Sequence, residues 1–204
     1  MSQLVNGTLS ANTSSCPAGH YCPLGTYQPT PCPVGTYLGT RGGQQVADCV
    51  LCVPGQFCNA TGATAPSGPC DPGYFCQFNN VVARPTSATV VNGTTLGGGI
   101  CPVARYCPSG SSAPLVCSPG TYSISTGASQ CTPCPPGYYC PSGTSDYTVY
   151  PCPAGYYCPQ GTTTVNQYPC PKGTYSNQTG LTAVSQCVYA PGGQYVDVVG
   201  ATAP

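Results

Sequence analysis

Nine times along the chain the same short unit recurs: Cys, two residues, Gly, one residue, then an aromatic. It reads CPAGHY from Cys16, CPVGTY from Cys32, CVPGQF from Cys52, CDPGYF from Cys70, CPVARY from Cys101, CSPGTY from Cys117, CPPGYY from Cys134, CPAGYY from Cys152 and CPKGTY from Cys170. Glycine holds its position in eight units, and Ala104 takes it in the other. A glycine at a fixed offset marks a backbone position with positive φ, and the neighbouring prolines preset φ for a turn. The recurring aromatic is placed to cover a disulfide, supplying apolar burial that aliphatic residues do not.

Aliphatic residues are scarce. Leu, Ile, Val and Phe sum to 31 of 204 residues, beside 18 Cys, 27 Gly and 25 Pro. That is the composition of a disulfide scaffold of the extracellular compartment, not of a globular enzyme with a conventional core. The expected fold is small, disulfide-rich and mostly irregular: an elongated tandem array of cysteine-rich modules with short β-hairpins and almost no helix. Local loops restrict contacts to near neighbours, which gives a rod rather than a ball, and Pro and Gly interrupt every potential helical window.

Six units close with a second Cys directly after the aromatic, and three run on for longer before closing. The cysteine pattern from Cys16 to Cys76 recurs from Cys101 to Cys158. After the third long unit, CVYAPGGQYV from Cys187 aligns without gaps on CVLCVPGQFC from Cys49, so that Ala190 and Val196 replace both cysteines of a short unit. Joint loss is what a bonded pair shows. It favours neighbour pairing: Cys16 with Cys22, Cys32 with Cys49, Cys52 with Cys58, Cys70 with Cys76, Cys101 with Cys107, Cys117 with Cys131, Cys134 with Cys140, Cys152 with Cys158, and Cys170 with Cys187. The rival is an interleaved scheme within groups such as Cys134, Cys140, Cys152 and Cys158, and spacing alone leaves the two open.

The cysteine pattern divides the chain into a Cys-free N-terminal strand or linker (1–15), repeat 1 (16–76), a Cys-free β-type spacer (77–100), repeat 2 (101–158), a truncated repeat 3 (159–196) and a C-terminal tail (197–204). In the spacer, Val81-Val82 and Ala88 to Val91 read as a hairpin or edge strand around Arg84-Pro85, and Gln194 to Val199 is another strand candidate. Edge strands without charged residues are templates for pairing with a second chain.

Four Lys and Arg stand against four Asp, with no Glu. Four scattered cations cannot displace the counterions of nucleic acid or of an anionic membrane. No run of apolar residues is long enough to span a bilayer, and the first fifteen residues lack the basic and apolar regions of a secretory signal. Net charge near zero promotes association. Five N-x-[ST] acceptor sites, at Asn6, Asn12, Asn59, Asn92 and Asn177, point to covalent N-glycans. Asn6-Gly7 and Asn92-Gly93 are tight-turn sequences as well.

Catalytic chemistry finds no constellation here. The sole imidazole, His20, sits where other units carry Thr, Gln, Tyr or Arg, which marks an ordinary surface substitution. The Asp residues lie far apart, with no Glu to form a carboxylate pair. Cys49-x-x-Cys52 and Cys131-x-x-Cys134 look like zinc half-sites, but they stand 82 residues apart, and the third junction replaces the second ligand with Ala190. No catalytic residue, metal or cofactor is expected.

CPAGYYC, CPPGYYC and CPKGTYSNQTGLTAVSQC resemble the cysteine-rich repeats of ephrin-receptor ectodomains and of large extracellular proteins of protists and algae. They are also similar to tumour-necrosis-factor-receptor modules. The resemblance covers about residues 16–187, with Ala104, the unit at Ala190–Val196 and the 77–100 insertion as departures. It implies an extracellular module that serves as spacer or binding surface. Two functions follow as expectations: a structural subunit of an extracellular glycoprotein filament or cell-surface coat, similar to flagellar-hair (mastigoneme) proteins and self-assembling through its Cys-free strands, or a receptor or adhesin ectodomain binding a protein or glycan.

Overall fold

The computed structural model describes residues 3–5, 8–10, 14–86, 88–91 and 94–204, with side chains outside 1–13 and 87–96. Among the described residues the regular structure consists of short antiparallel pairings and three single-turn 3-10 segments, with no α-helix. Nine disulfides join neighbouring cysteines, Cys16 with Cys22 through Cys170 with Cys187, with Cα–Cα separations between 5.7 and 6.0 Å.

Each unit is a turn closed by its own chemistry. The repeat glycines adopt φ between 80° and 87°, from Gly19 at 80° to Gly193 at 87°. Ala104 follows them into the left-handed region at 61° despite its Cβ, a conformation that costs an L-residue about 1–2 kcal/mol. Three or four residues after the closing position comes a second left-handed turn: Gly25, Gly42, Gly62, Asn79, Gly110, Gly127, Gly143, Gly161, Gly180 and Gly200. Asn79, at 59°, is the only non-glycine among them, and Asn tolerates this region better than other side chains. In many turns a hydroxyl reaches back, as Thr144 Oγ1 donates to the Pro141 carbonyl and Thr162 Oγ1 to the Pro159 carbonyl, both at 2.7 Å.

The units stack through backbone. At every junction four hydrogen bonds recur between one unit and the next. The repeat glycine N–H donates to the carbonyl of the next unit's closing position, as Gly137 does to Cys158 at 2.8 Å. The next opening cysteine returns a bond to that glycine's carbonyl, as Cys152 does to Gly137 at 2.8 Å. The closing position donates to the residue after the next unit's second turn, as Cys140 does to Thr162 at 2.9 Å. Finally, the residue at that second turn donates back to the opening cysteine, as Gly161 does to Cys134 at 2.9 Å. The set repeats at all nine junctions from Cys16 to Ala201, with donor–acceptor distances between 2.7 and 3.1 Å.

Alongside these bonds, the residue pair ending in the aromatic lies antiparallel to the two residues preceding the next opening cysteine. His20–Tyr21 pairs with Thr30–Pro31, Thr36–Tyr37 with Val50–Leu51, and Thr174–Tyr175 with Val188–Tyr189. The aromatic then rests on the next disulfide: Tyr21 packs on Cys32, Leu38 and Cys49, and Tyr157 on Cys170, Leu181 and Cys187. Apart from Cys22 and Cys131, every cysteine is buried, so the core is a column of disulfides. The column is drawn out. The surface of 11650 Å² exceeds the roughly 8,900 Å² of a compact chain of this mass.

Contacts extend one unit further. A Cβ built on Gly137 would lie 2.8 Å from the Gly180 carbonyl oxygen, two units along, and one on Gly120 would lie 2.5 Å from that of Gly161. Glycine at this position therefore serves both the turn and the close approach of another backbone.

The spacer does not interrupt the column. Asn79 and Asn80 carry the fourth unit's second turn, with Asn79 N–H donating to the Cys52 carbonyl and Asn80 accepting from Cys58. A hairpin, Ala88–Val91 against Thr94–Ile100, is inserted after them, and Gly98 to Ile100 pairs back on Tyr74–Cys76. Val81-Val82 is irregular. The C-terminal segment corrects the expectation drawn from its sequence. Gln194 to Val199 forms no strand, because no described residues pair with Gln194 and Tyr195. The segment instead completes a tenth unit, with Ala190 N–H donating to the Gly173 carbonyl at 2.9 Å and Gly173 N–H to that of Val196 at 2.8 Å.

Candidate functional site

The residues that most resemble catalytic or metal-binding groups are occupied structurally. His20 is half-buried, with Nδ1 3.2 Å from the Ala18 carbonyl and no carboxylate beside it. Cys49 and Cys52, the first of the apparent half-sites, belong to different bridges, with Cys32 and Cys58. Cys131 and Cys134 likewise pair with Cys117 and Cys140. Among the described residues no three His, Cys, Asp or Glu gather where they could hold a metal ion.

Asp48 and Asp146 serve local turns. Asp48 accepts from the Gln44 N–H at 2.6 Å and the Gln45 N–H at 3.2 Å, and these donors hold its carboxyl below the ordinary range. Asp146 is lowered in the same direction by the Thr148 hydroxyl and then by the Thr148 N–H. Asp71 pairs with Arg84, which raises the guanidinium pKa. Glutamine side chains do the equivalent work in other loops, as Gln186 Oε1 accepts from Thr182 N–H at 2.6 Å and Ala183 N–H at 3.1 Å.

Of the acceptor asparagines, Asn59 and Asn177 are exposed, where a glycan meets solvent. Asn59 accepts a bond from Ser67 Oγ at 2.8 Å. Asn6 and Asn92 lie outside the described residues, as does Asn12. An apolar cleft of about 340 Å³ opens on one side of the column between Pro119, Tyr139, Pro141 and Val165.

What distinguishes particular regions of this uniform column is its two ends. At the C-terminal end, the Gly193 N–H and C=O, the Val196 N–H and the Ala190 C=O occupy the four ladder positions and have no hydrogen-bond partner among the described residues. At the N-terminal end, the Cys16 N–H, the Cys22 C=O, the Gly25 N–H and the Thr26 C=O are the reciprocal set, also without partners among the described residues. The repeat glycine is buried in every glycine-bearing unit from Gly19 to Gly155, half-buried at Gly173 and exposed at Gly193. Among the described residues, the four most exposed large apolar side chains are Leu24 at 107% and Tyr27 at 97% in the first unit, and Tyr189 at 81% and Tyr195 at 80% near the last. A concavity of about 380 Å³ lies at the N-terminal end, lined by Cys16, Cys22, Ser14, Ser15 and Tyr27 among others.

The signal for these faces was the second turn residue, which the cysteine pattern conceals. It recurs in CPLG from Cys22, CPSG from Cys107 and Cys140, and CPQG from Cys158, but stands one residue further along elsewhere, as in Cys58-Asn59-Ala60-Thr61-Gly62. No protein-family model matches the chain, and no curated protein matches it.

Proposed function

We propose that the chain is a structural subunit of an extracellular glycoprotein filament or cell-surface coat. The observation that carries this reading is the backbone ladder, which crosses nine successive junctions without interruption. A ladder of that kind fixes each unit against the next and yields a stiff column whose length is set by unit number. The nine bridges suit an oxidising compartment, and no helix among the described residues is long and apolar enough to cross a membrane. Sugars at exposed Asn59 and Asn177 would keep the sides of a nearly uncharged rod dispersed.

The test is electron microscopy of the natively secreted, undigested protein. Uniform filaments with an axial period matching a ten-unit rod are the expected result. Dispersed single rods at every concentration would overturn the reading and favour a modular ectodomain with a separate ligand.

A further inference from the structure

We infer that the Cys117–Cys131 bridge is the column's thiol-exchange site: a small thiol of the glutathione class attacks Cys131 and is held there as a mixed disulfide. The inference does not depend on the filament reading. It rests on how the three long units cover their bridges.

Ladder bonds make the three long units equivalent position by position. Gly19, Ala104 and Gly155 donate their N–H groups to the carbonyls of Leu38, Ser123 and Ser176, and Cys22, Cys107 and Cys158 donate theirs to Gly43, Ala128 and Leu181. In the first long unit Leu38 is buried against Cys32 and Cys49, and a Cβ built on Gly43 would lie 2.7 Å from Leu38 Cδ2. In the third the leucine comes from the other position: Leu181 is buried against Cys170 and Cys187, and Ser176 stands where Leu38 does. One leucine fills the space beside the bridge, and either position can supply it. The middle unit supplies it from neither, because Ser123 and Ala128 hold the two positions.

A second cover is missing from the same unit. In the first and third long units a 3-10 turn, Val46–Asp48 or Val184–Gln186, leads directly into the second cysteine. The Asp48 or Gln186 side chain of that turn gathers loop N–H groups. The middle bridge closes over a separation of 14 residues rather than 17, and the turn is gone. Burial follows: Gly43 and Cys49 are buried, as are Leu181 and Cys187, whereas Ala128 and Cys131 are half-buried. Cys117 is fully buried, so access selects Cys131 as the sulfur attacked.

The exchange needs no oxidant. The incoming thiolate forms an S–S bond with Cys131 Sγ, the Cys117–Cys131 bond breaks, and its electron pair leaves on Cys117, whose thiolate takes a proton from water. The bonds that hold this unit to the one before it, Ala104 to Ser123, Cys117 to Ala104, Cys107 to Ala128 and Gly127 to Cys101, are all backbone bonds. The tenth unit keeps the same set with Ala190 and Val196 in place of cysteines. The column can therefore carry an adduct at this unit without losing its shape.

The test exposes the full disulfide-bonded chain to reduced glutathione at mildly alkaline pH, with acid quenching, alkylation and peptide mass mapping over time. Of the eight bridges from Cys32–Cys49 to Cys170–Cys187, Cys117–Cys131 should open first. Its rate should be about tenfold that of the other two long bridges, with glutathione on Cys131 and the alkyl label on Cys117. Ala128→Leu, which recreates the combination of Ser176 and Leu181, should slow that opening severalfold. Leu181→Ala should speed the opening of Cys170–Cys187. Equal rates for the three long bridges, or glutathione on Cys117, would overturn the inference. An unchanged rate in Ala128→Leu would do so too. If that variant does not form its nine bridges, an unchanged rate at Cys170–Cys187 in Leu181→Ala overturns it instead.

Discussion

Ala190 donates its backbone N–H to the Gly173 carbonyl across 2.9 Å, the bond that Cys170 makes to Gly155 at 2.8 Å one unit earlier. Ala190 has no sulfur and Val196, its partner position, has none either, yet the tenth unit keeps all four ladder bonds, including Ser176 to Ala201 at 3.1 Å and Gly200 to Cys170 at 2.9 Å. The backbone ladder, not the bridge, therefore specifies the shape of a unit, and the bridge adds stability to a shape already chosen.

The first prediction follows from that separation. Replacing Cys134 by Ala and Cys140 by Val copies the tenth unit into the interior. Loop-entropy bookkeeping assigns a six-residue bridge about 2.3 kcal/mol, so thermal unfolding should shift downward by that order while the other eight bridges form. Loss of native pairing elsewhere, read by non-reducing peptide mapping, would show instead that each bridge is needed to set its own unit.

Glycine content should be testable at two positions with opposite signs. Gly137→Ala forces a Cβ to 2.8 Å from the Gly180 carbonyl oxygen and 3.5 Å from Thr182 Cγ2, at φ +86°. A loss of about 2–3 kcal/mol is expected, combining left-handed strain with displacement of the unit two steps along. Ala104→Gly relieves the same strain where evolution left it, at φ 61°, and should gain about 1 kcal/mol. Chemical denaturation of the two variants, with disulfides intact, measures both.

Amide exchange should map the column. The Gly35, Gly55, Gly120, Gly137 and Gly155 N–H groups are buried and bonded to the next unit, so they should exchange slowly. Gly193 N–H, exposed and without a partner among the described residues, should exchange far faster.

Stability should depend little on pH until the carboxyls titrate. Asp48 and Asp146 are held below the ordinary carboxylate range in the folded chain, so the folded state binds their protons less readily than the unfolded state does. Their contribution is present above the ordinary carboxylate pKa and fades as pH falls through the folded values. The melting temperature should accordingly be flat down to about pH 4 and decline below it. Asp48→Asn should flatten part of that decline.

Much of this architecture was legible in the chain itself. CPAGYYC and its eight relatives announce a positive-φ turn, a local staple and an aromatic cover, because each depends on a side chain or on the lack of one. The substitution pair Ala190 and Val196 marked a unit without its bridge, but read as strand it was misassigned: Gln194 and Tyr195 look β-forming because their counterparts, such as Thr174–Tyr175, are strands, and those become strands only when a following unit pairs with them.

What the sequence by itself determined is the unit: where it turns, where it is cross-linked and how many times it repeats. What only the tertiary structure decided is the sense in which units join, with Gly137 N–H reaching Cys158 and Cys152 N–H returning to Gly137. Those bonds run between backbone groups that every residue carries, so no residue type records them. They arise from the geometry of successive turns.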